Sequence, residues 1–301
     1  MYTVHLYPEP ASDWEERCST QSLFLFQAGW RKCLEKISYH NRFFYGAING
    51  VPCLLVSAFR KLFFDVVYLN FPIGIDDDLL RSVIVDDIFS IANADLLRIV
   101  VSRCKIRDLP YARITDQPRV LITDLKTWSA DELGSSIKRN LKRAQKLELR
   151  SSDPADVEAI TTIYEQTIGR HGGARRYNIE YFEEFIRASG SCGEATALSC
   201  FHDDVLCGYM MSAKHGKTTY YLHGGYSYEL QNLRPMDLLM KETITIAKQN
   251  NCDEFDFLAS PPDQAGLLKF KMKWGGIETI ERTLDIPSKS LGGRLYNSLA
   301  R

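Results

Sequence analysis

The sequence predicts an α+β protein made of two tandem copies of one unit, each a mostly antiparallel sheet flanked by helices. Three observations carry that prediction. Two segments match in residue type at a shift of 158 positions: Leu80 falls on Leu238, Asn93 on Asn251, Asp95 on Asp253, Leu97 on Phe255, Ile99 on Phe257 and Ser102 on Ser260. Ahead of each match lie three alternating apolar runs joined by turn-forming residues. Within each match, an amphipathic stretch of about four turns stops at an Asn and passes into a short strand.

In the first copy the strands read as Ala47-Ile48, Val51 to Phe59 and Phe64 to Leu69, with turns at Asn49-Gly50 and Arg60-Lys61. A helix opening at Asp76-Asp77-Asp78 follows, and then the strand Leu96 to Ser102. The boundary between copies falls in Asp116 to Asp131, giving domains 1–128 and 129–301. Gln117-Pro118 precedes a strand from Arg119 to Leu125, and Ser129-Ala130-Asp131-Glu132 starts a helix with an acidic first turn that runs to about Leu147. Its cations, Lys138, Arg139, Lys142, Arg143 and Lys146, share one face, while Ile137, Leu141 and Ala144 form the other. In the second copy the strands are Ala197 to Phe201, Val205 to Ala213 and Thr218 to His223, joined at His202-Asp203-Asp204 and His215-Gly216-Lys217. The helix after Arg234-Pro235 and the strand Glu254 to Ala259 complete it.

Composition narrows the function classes. Of 301 residues 45% are hydrophobic and 25% charged, and 37 Lys+Arg nearly cancel 38 Asp+Glu, which excludes a polybasic nucleic-acid coat and an acidic tail. The longest charge-free run, Phe43 to Phe59, is broken by Asn49-Gly50 and Pro52, so no spanning helix is expected. The start shows no basic segment followed by an apolar one, so a cytoplasmic location without a secretory signal is expected. Eight Cys lack any Cys-x-x-Cys pair and six His lack ligand spacing, so neither a metal site nor a disulfide framework is expected. Cys200 and Cys207 lie on paired strands with no neighbour that would activate them.

The two helix starts differ in chemistry. Asp76-Asp77-Asp78 fills its own amides and repels a phosphate, whereas Arg234, Pro235, Met236 and Asp237 lack a capping Ser, Thr, Asp or Asn, which leaves amides and a guanidinium for an anion or a Pro-started helix with solvated amides. Asp256 alternates with Phe255 and Phe257, so it faces away from those rings as a general base or as a partner for Arg or Lys. A Gly-broken basic and aromatic loop, Gly169 to Tyr181, brings Arg170, His171, Arg175, Arg176, Tyr177 and Tyr181 together as a clamp for a phosphorylated acceptor or as a solvated charge run.

Three stretches resemble the FemAB-like group of tandem GNAT acyltransferases. They are the basic helix Ser136-Ile137-Lys138-Arg139-Asn140-Leu141-Lys142-Arg143-Ala144-Gln145-Lys146, the run Tyr220-Tyr221-Leu222-His223-Gly224-Gly225 leading to Leu233-Arg234-Pro235, and Phe255-Asp256-Phe257 followed by Leu268-Lys269-Phe270-Lys271-Met272-Lys273-Trp274-Gly275-Gly276. The resemblance covers residues 130 to 285 and is architectural before that. It implies two acyl-CoA N-acyltransferase folds, with Leu222, Arg234, Pro235, Met236 and Asp237 around the donor. It also implies Lys271 as a cation near the reacting carbonyl or the acceptor's phosphates, with a solvated strand lysine alternating with Lys269 and Lys273 as the other reading, and His223 as a base for an attacking amine with a pKa near the working pH. The clustered cations of the basic helix, Arg139 and Arg143 among them, suit a transfer RNA acceptor stem or coenzyme A phosphates, or form the polar face of an amphipathic helix.

No permanently bound cofactor is implied. The co-substrate is acetyl-CoA or another acyl-CoA, with aminoacyl-tRNA as the alternative, because Leu230 to Arg234 lacks the glycines of the family's CoA loop. Without a coiled-coil arm the chain resembles the shorter members associated with cell-surface polysaccharide assembly, which implies a small-molecule, lipid-linked or nucleotide-linked amino-sugar acceptor. A tandem domain that binds a precursor without catalysis is the third reading.

Overall fold

The structure is a computed structural model that describes residues 4–37, 42–48, 51–61, 64–69, 88–89, 93–101, 113–173 and 175–299. In chain order its elements begin with β1 (Val4–Tyr7), α1 (Trp14–Thr20), α2 (Ala28–Glu35), β2 (Arg42–Ile48), β3 (Val51–Lys61), β4 (Phe64–Leu69), β5 (Leu96–Val101) and β6 (Arg113–Ile122). They continue with α3 (Ser135–Ala144), β7 (Glu148–Ser151), α4 (Val157–His171), α5 (Ile179–Ser191), β8 (Ala195–His202), β9 (Val205–His215) and β10 (Thr218–Tyr226). Last come α6 (Pro235–Gln249), β11 (Glu254–Ala259), α7 (Ala265–Met272), β12 (Ile277–Pro287) and α8 (Leu291–Leu299). Contacts divide the chain into a first unit of residues 1–20, 38–117 and 280–301 and a second of 21–37 and 118–279.

In the first unit β1 to β4 form an antiparallel meander, β5 joins β4 in parallel and β12 joins β5 antiparallel. Strand β3 runs two residues further than expected: Arg60 and Lys61 pair with Asp65 and Phe64 instead of forming the turn. The turn at Asn49-Gly50 and the helix start at Asp76-Asp77-Asp78 lie outside the described residues. Arg98 grips Asp285 at 2.7 and 2.8 Å, and Tyr296 of α8 donates to the same carboxylate at 2.8 Å.

The second unit repeats the plan. Its strands run β6-β11-β10-β9-β8-β7, antiparallel except for the parallel β10–β11 pair. Asn93 and Asn251 occupy equivalent places and both adopt left-handed backbone, φ 47° and 54°, the conformation Asn tolerates at a helix stop. Two residues on, Asp95 and Asp253 each donate an amide at 2.8 Å to a carbonyl, of Asp65 in β4 and of Lys217 just before β10. The expected helix from Ser129 to Leu147 is instead a 3₁₀ turn, Ala130–Glu132, and α3, because Leu133 and Gly134 are extended between them. The expected loop from Gly169 to Tyr181 is largely helical: α4 continues to His171, Gly172 closes it in left-handed backbone and Asn178 caps α5.

Apolar periodicity explains the packing. Ile137 and Ala144 of α3, Leu239, Met240, Ile244 and Ala247 of α6, and Phe255, Phe257 and Trp274 share one buried cluster. Segment 21–37 is fastened to this unit through His215, 2% exposed, whose Nδ1 accepts the Leu25 amide at 3.1 Å while Phe26 meets the ring edge-on.

Burial pushes the His215 pKa down to about 3. Unfolded, the ring binds a proton near pH 6.5; folded, it stays neutral until about pH 3. Its contribution to stability is therefore complete above pH 6.5 and declines by roughly 1.4 kcal/mol per pH unit as pH falls through that window. Denaturant titrations of His215→Asn, which keeps an acceptor for Leu25, are expected to show a pH dependence between 4.5 and 6 that is shallower by about one proton.

Candidate functional site

Everything in the site belongs to the second unit and is organised by the partial pairing of β10 and β11. Their parallel register is Thr218↔Glu254, Thr219↔Phe255 and Tyr220↔Asp256. Beyond it, among the described residues, the strands no longer pair, although β10 runs to Tyr226 and β11 to Ala259. Strand β10 bulges at this point: Tyr221 faces Ser212 and His223 faces Met211, so Leu222 has no opposite residue on β9.

Successive residues of β10 face opposite sides, and two glycines let helices approach from each. A Cβ on Gly224 would stand 2.8 Å from the Tyr209 carbonyl and 3.1 Å from Met236 of α6, and one on Gly225 would stand 3.0 Å from Ile163 of α4. The start of α6 is thereby pressed against the end of β10.

At that start Arg234 is left-handed, φ 62°, ψ 46°, with Pro235 as the first helical residue. The Arg234 carbonyl accepts the amides of Asp237 (3.1 Å) and Leu238 (3.4 Å). The expectation that both Met236 and Asp237 offer amides is thus corrected: only Met236 keeps one without an acceptor among the described residues. Asp237 is buried, and its carboxylate is held by Lys273 at 2.6 Å and Asn140 at 3.3 Å. The Arg234 Nε is also buried without a partner among the described residues. A backbone amide and a guanidinium N–H thus lie at a helix terminus whose own carboxylate is already paired with Lys273.

On the other face of β10, His223 lies among rings. Its Nε2 is 3.2 Å from the Tyr181 hydroxyl, Tyr177 stacks on it at 4.8 Å, and Phe182 and Tyr209 meet it edge-on. Desolvation pushes its pKa down to about 3, so the expectation of an imidazole titrating near neutrality is corrected: the ring is neutral and weakly basic. Tyr181 is fully buried, and burial likewise holds its phenol protonated. His223 Nδ1 and Tyr209 Oη are buried without partners among the described residues.

Asp256 is 1% exposed, with both oxygens engaged by Arg119: Nε donates to Oδ1 at 2.9 Å and Nη2 donates to Oδ2. It is thus the partner of an Arg, the second of its two expected roles. Lys271, 2% exposed, sits on α7 rather than in an alternating strand, and its ammonium donates to the carbonyls of Leu258 and Ala259 at 2.9 Å each.

The basic and aromatic residues do not all converge. Arg170 lies over Tyr226 and Tyr228 at 5.2 and 5.5 Å and donates to the Tyr226 carbonyl. Arg175 pairs with Glu165 at the surface, Arg176 is exposed, and the side chain of His171 lies outside the described residues. Arg139 and Arg143 are exposed on α3, whose other face packs on α6 and on the 3₁₀ turn Tyr228–Leu233. Cys200 and Cys207 are buried, and burial raises both thiols, which argues against a nucleophile. Arg119, Lys273 and Tyr209 were not singled out by sequence; the Lys269, Lys271, Lys273 alternation was the signal for Lys273.

The sequence pattern of the acetyltransferase (GNAT) domain matches residues 134–271. This stretch is a GNAT domain. Its span holds α3, the bulged β10, the α6 start and Lys271, while Arg119 and Lys273 lie outside it. Among curated proteins none matches by sequence. Solved structures share the fold: FemX is 14% identical with TM-score 0.71, covering 99% of this chain and 100% of that one. L-PGS from Bacillus licheniformis is 12% identical with TM-score 0.60, covering 98% and 97%. A tandem GNAT protein from the clavulanic acid biosynthesis pathway is 12% identical with TM-score 0.55, covering 96% and 100%.

Because the Gly224 Cβ position is bounded by backbone, Gly224→Ala is expected to displace α6 from β10 and to lower stability by about 1–3 kcal/mol, read as a shift in the denaturant midpoint at unchanged slope.

Proposed function

We propose that this chain moves an acyl group, most simply acetyl, from a coenzyme A thioester to an amine on a sugar or cell-envelope precursor. The observation that carries the reading is the gap between β10 and β11 opening beside the α6 start, where the Met236 amide and Arg234 suit a pyrophosphate. The acyl arm lies along the gap, with the Leu222 bulge turning backbone toward the thioester carbonyl. The amine nitrogen attacks the carbonyl carbon, the tetrahedral oxyanion is stabilised by oriented backbone donors, and the C–S bond breaks to release the thiol, which takes up the proton. The acceptor approaches from the side of α4 and α5, where Arg170, Tyr226 and Tyr228 line one edge.

A neutral, desolvated His223 positions groups rather than collecting the amine's proton. The rate is therefore expected to rise with pH along the amine's own ionisation, without a step near pH 6.5. His223→Gln is expected to lower kcat about tenfold or more while leaving the shape of that profile unchanged.

One observation favours an aminoacyl-tRNA donor as the second reading: the exposed cations of α3 stand on a helix packed against α6. Isothermal titration with acetyl-CoA and desulfo-CoA tests the choice. Micromolar binding weakened at least about tenfold by Arg234→Glu is expected for the thioester reading. No binding, with salt-sensitive binding of charged tRNA, overturns it in favour of the second, and no turnover with either donor leaves a precursor-binding domain.

A further inference from the structure

Strands β10 and β11 part immediately after the pair Tyr220↔Asp256, and the residues that follow on β11 are held by buried charges. Leu258 has φ 58°, a left-handed conformation that a γ-branched residue rarely adopts. Its amide turns back to Asp256 Oδ1 at 2.8 Å, and its carbonyl and that of Ala259 turn to Lys271 Nζ. Asp256 is in turn clamped by Arg119, and β11 slips against β6 between Asp256 and Ala259. Ser260 then donates to the Pro118 carbonyl, beside Arg119.

Backbone groups that a regular ladder to the neighbouring strands would use are therefore taken by side chains. Three charged residues, each at most 2% exposed, surround one strained residue. Buried ion pairs contribute little net stability compared with apolar packing of the same volume, and strained backbone persists where surrounding structure enforces it. Stability alone does not account for this arrangement.

We infer that Arg119, Asp256 and Lys271 form a strut that bends β11 away from β10 and so keeps the gap between them open. They are positioning residues: they act through the backbone of Leu258 and Ala259 and do not touch the reacting atoms. The strut rests on strand geometry alone; its consequence for a ligand rests on the placement of the donor in this gap.

Two variants test it: Lys271→Met, and the combined Arg119→Met, Asp256→Leu, Lys271→Met, which removes all three charges together and is expected to fold. The first readout is hydrogen–deuterium exchange resolved to residues 221–226. If the strut holds the gap, β11 relaxes onto β10 in the combined variant, and the amides there that do not bond to β9 slow about tenfold or more. The second readout is titration with acetyl-CoA, where binding is expected to be lost in step with that protection. Unchanged exchange in the folded combined variant overturns the strut, as does its failure to fold. Loss of acetyl-CoA binding in Lys271→Met with exchange unchanged also overturns it, because the lysine would then act on the ligand directly. If the unsubstituted protein does not bind acetyl-CoA, the donor reading fails while the exchange result still decides the strut.

Discussion

The organising constraint of the second unit is that two parallel strands share three residue pairs and then separate. A sheet whose ladder continued from Tyr220 and Asp256 would leave no room beside the first turn of α6. Both strands are irregular just past the last pair, β10 by the extra residue Leu222 and β11 by the left-handed Leu258. The separation therefore has a cause on each side, and the cause on β11 is side-chain charge rather than chain connectivity.

Around that gap the unit places polar groups in two different states. Asp237, Asp256 and Lys271 are buried and fully engaged, so they shape backbone and leave no free charge at the gap. Arg234 Nε, His223 Nδ1 and Tyr209 Oη are buried and unmatched among the described residues, and an unmatched buried polar atom is costly unless something else meets it. The engaged groups shape the backbone around the gap, and the unmatched ones are the groups that the proposed ligand would meet.

Much of the fold was legible because it rests on local rules. Hairpin turns, strand alternation and the Asn at each helix stop depend on neighbours a few residues away, and the repeat at 158 positions exposed the shared plan. The basic face of α3 and the Pro-started α6 were readable for the same reason. The elements that differed did so where the local pattern was ambiguous: extended Leu133 and Gly134 split one helix, and the Lys269, Lys271, Lys273 alternation resembled a strand although Ala265–Met272 is helical.

By itself, the sequence determined the α+β plan, the Pro-started α6 and the kinship of its second half with acyltransferases, since each is written in short-range periodicity or motif. Tertiary structure alone decided which residues are buried and against what. Arg119 and Asp256 are 137 positions apart, and Leu25 and His215 are 190 apart. Burial turned Lys271 from an exposed cation into a clamp on two carbonyls and turned His223 from a base near neutrality into a neutral ring. Both outcomes follow from desolvation, a property of the packed neighbourhood that no spacing of residues along the chain specifies.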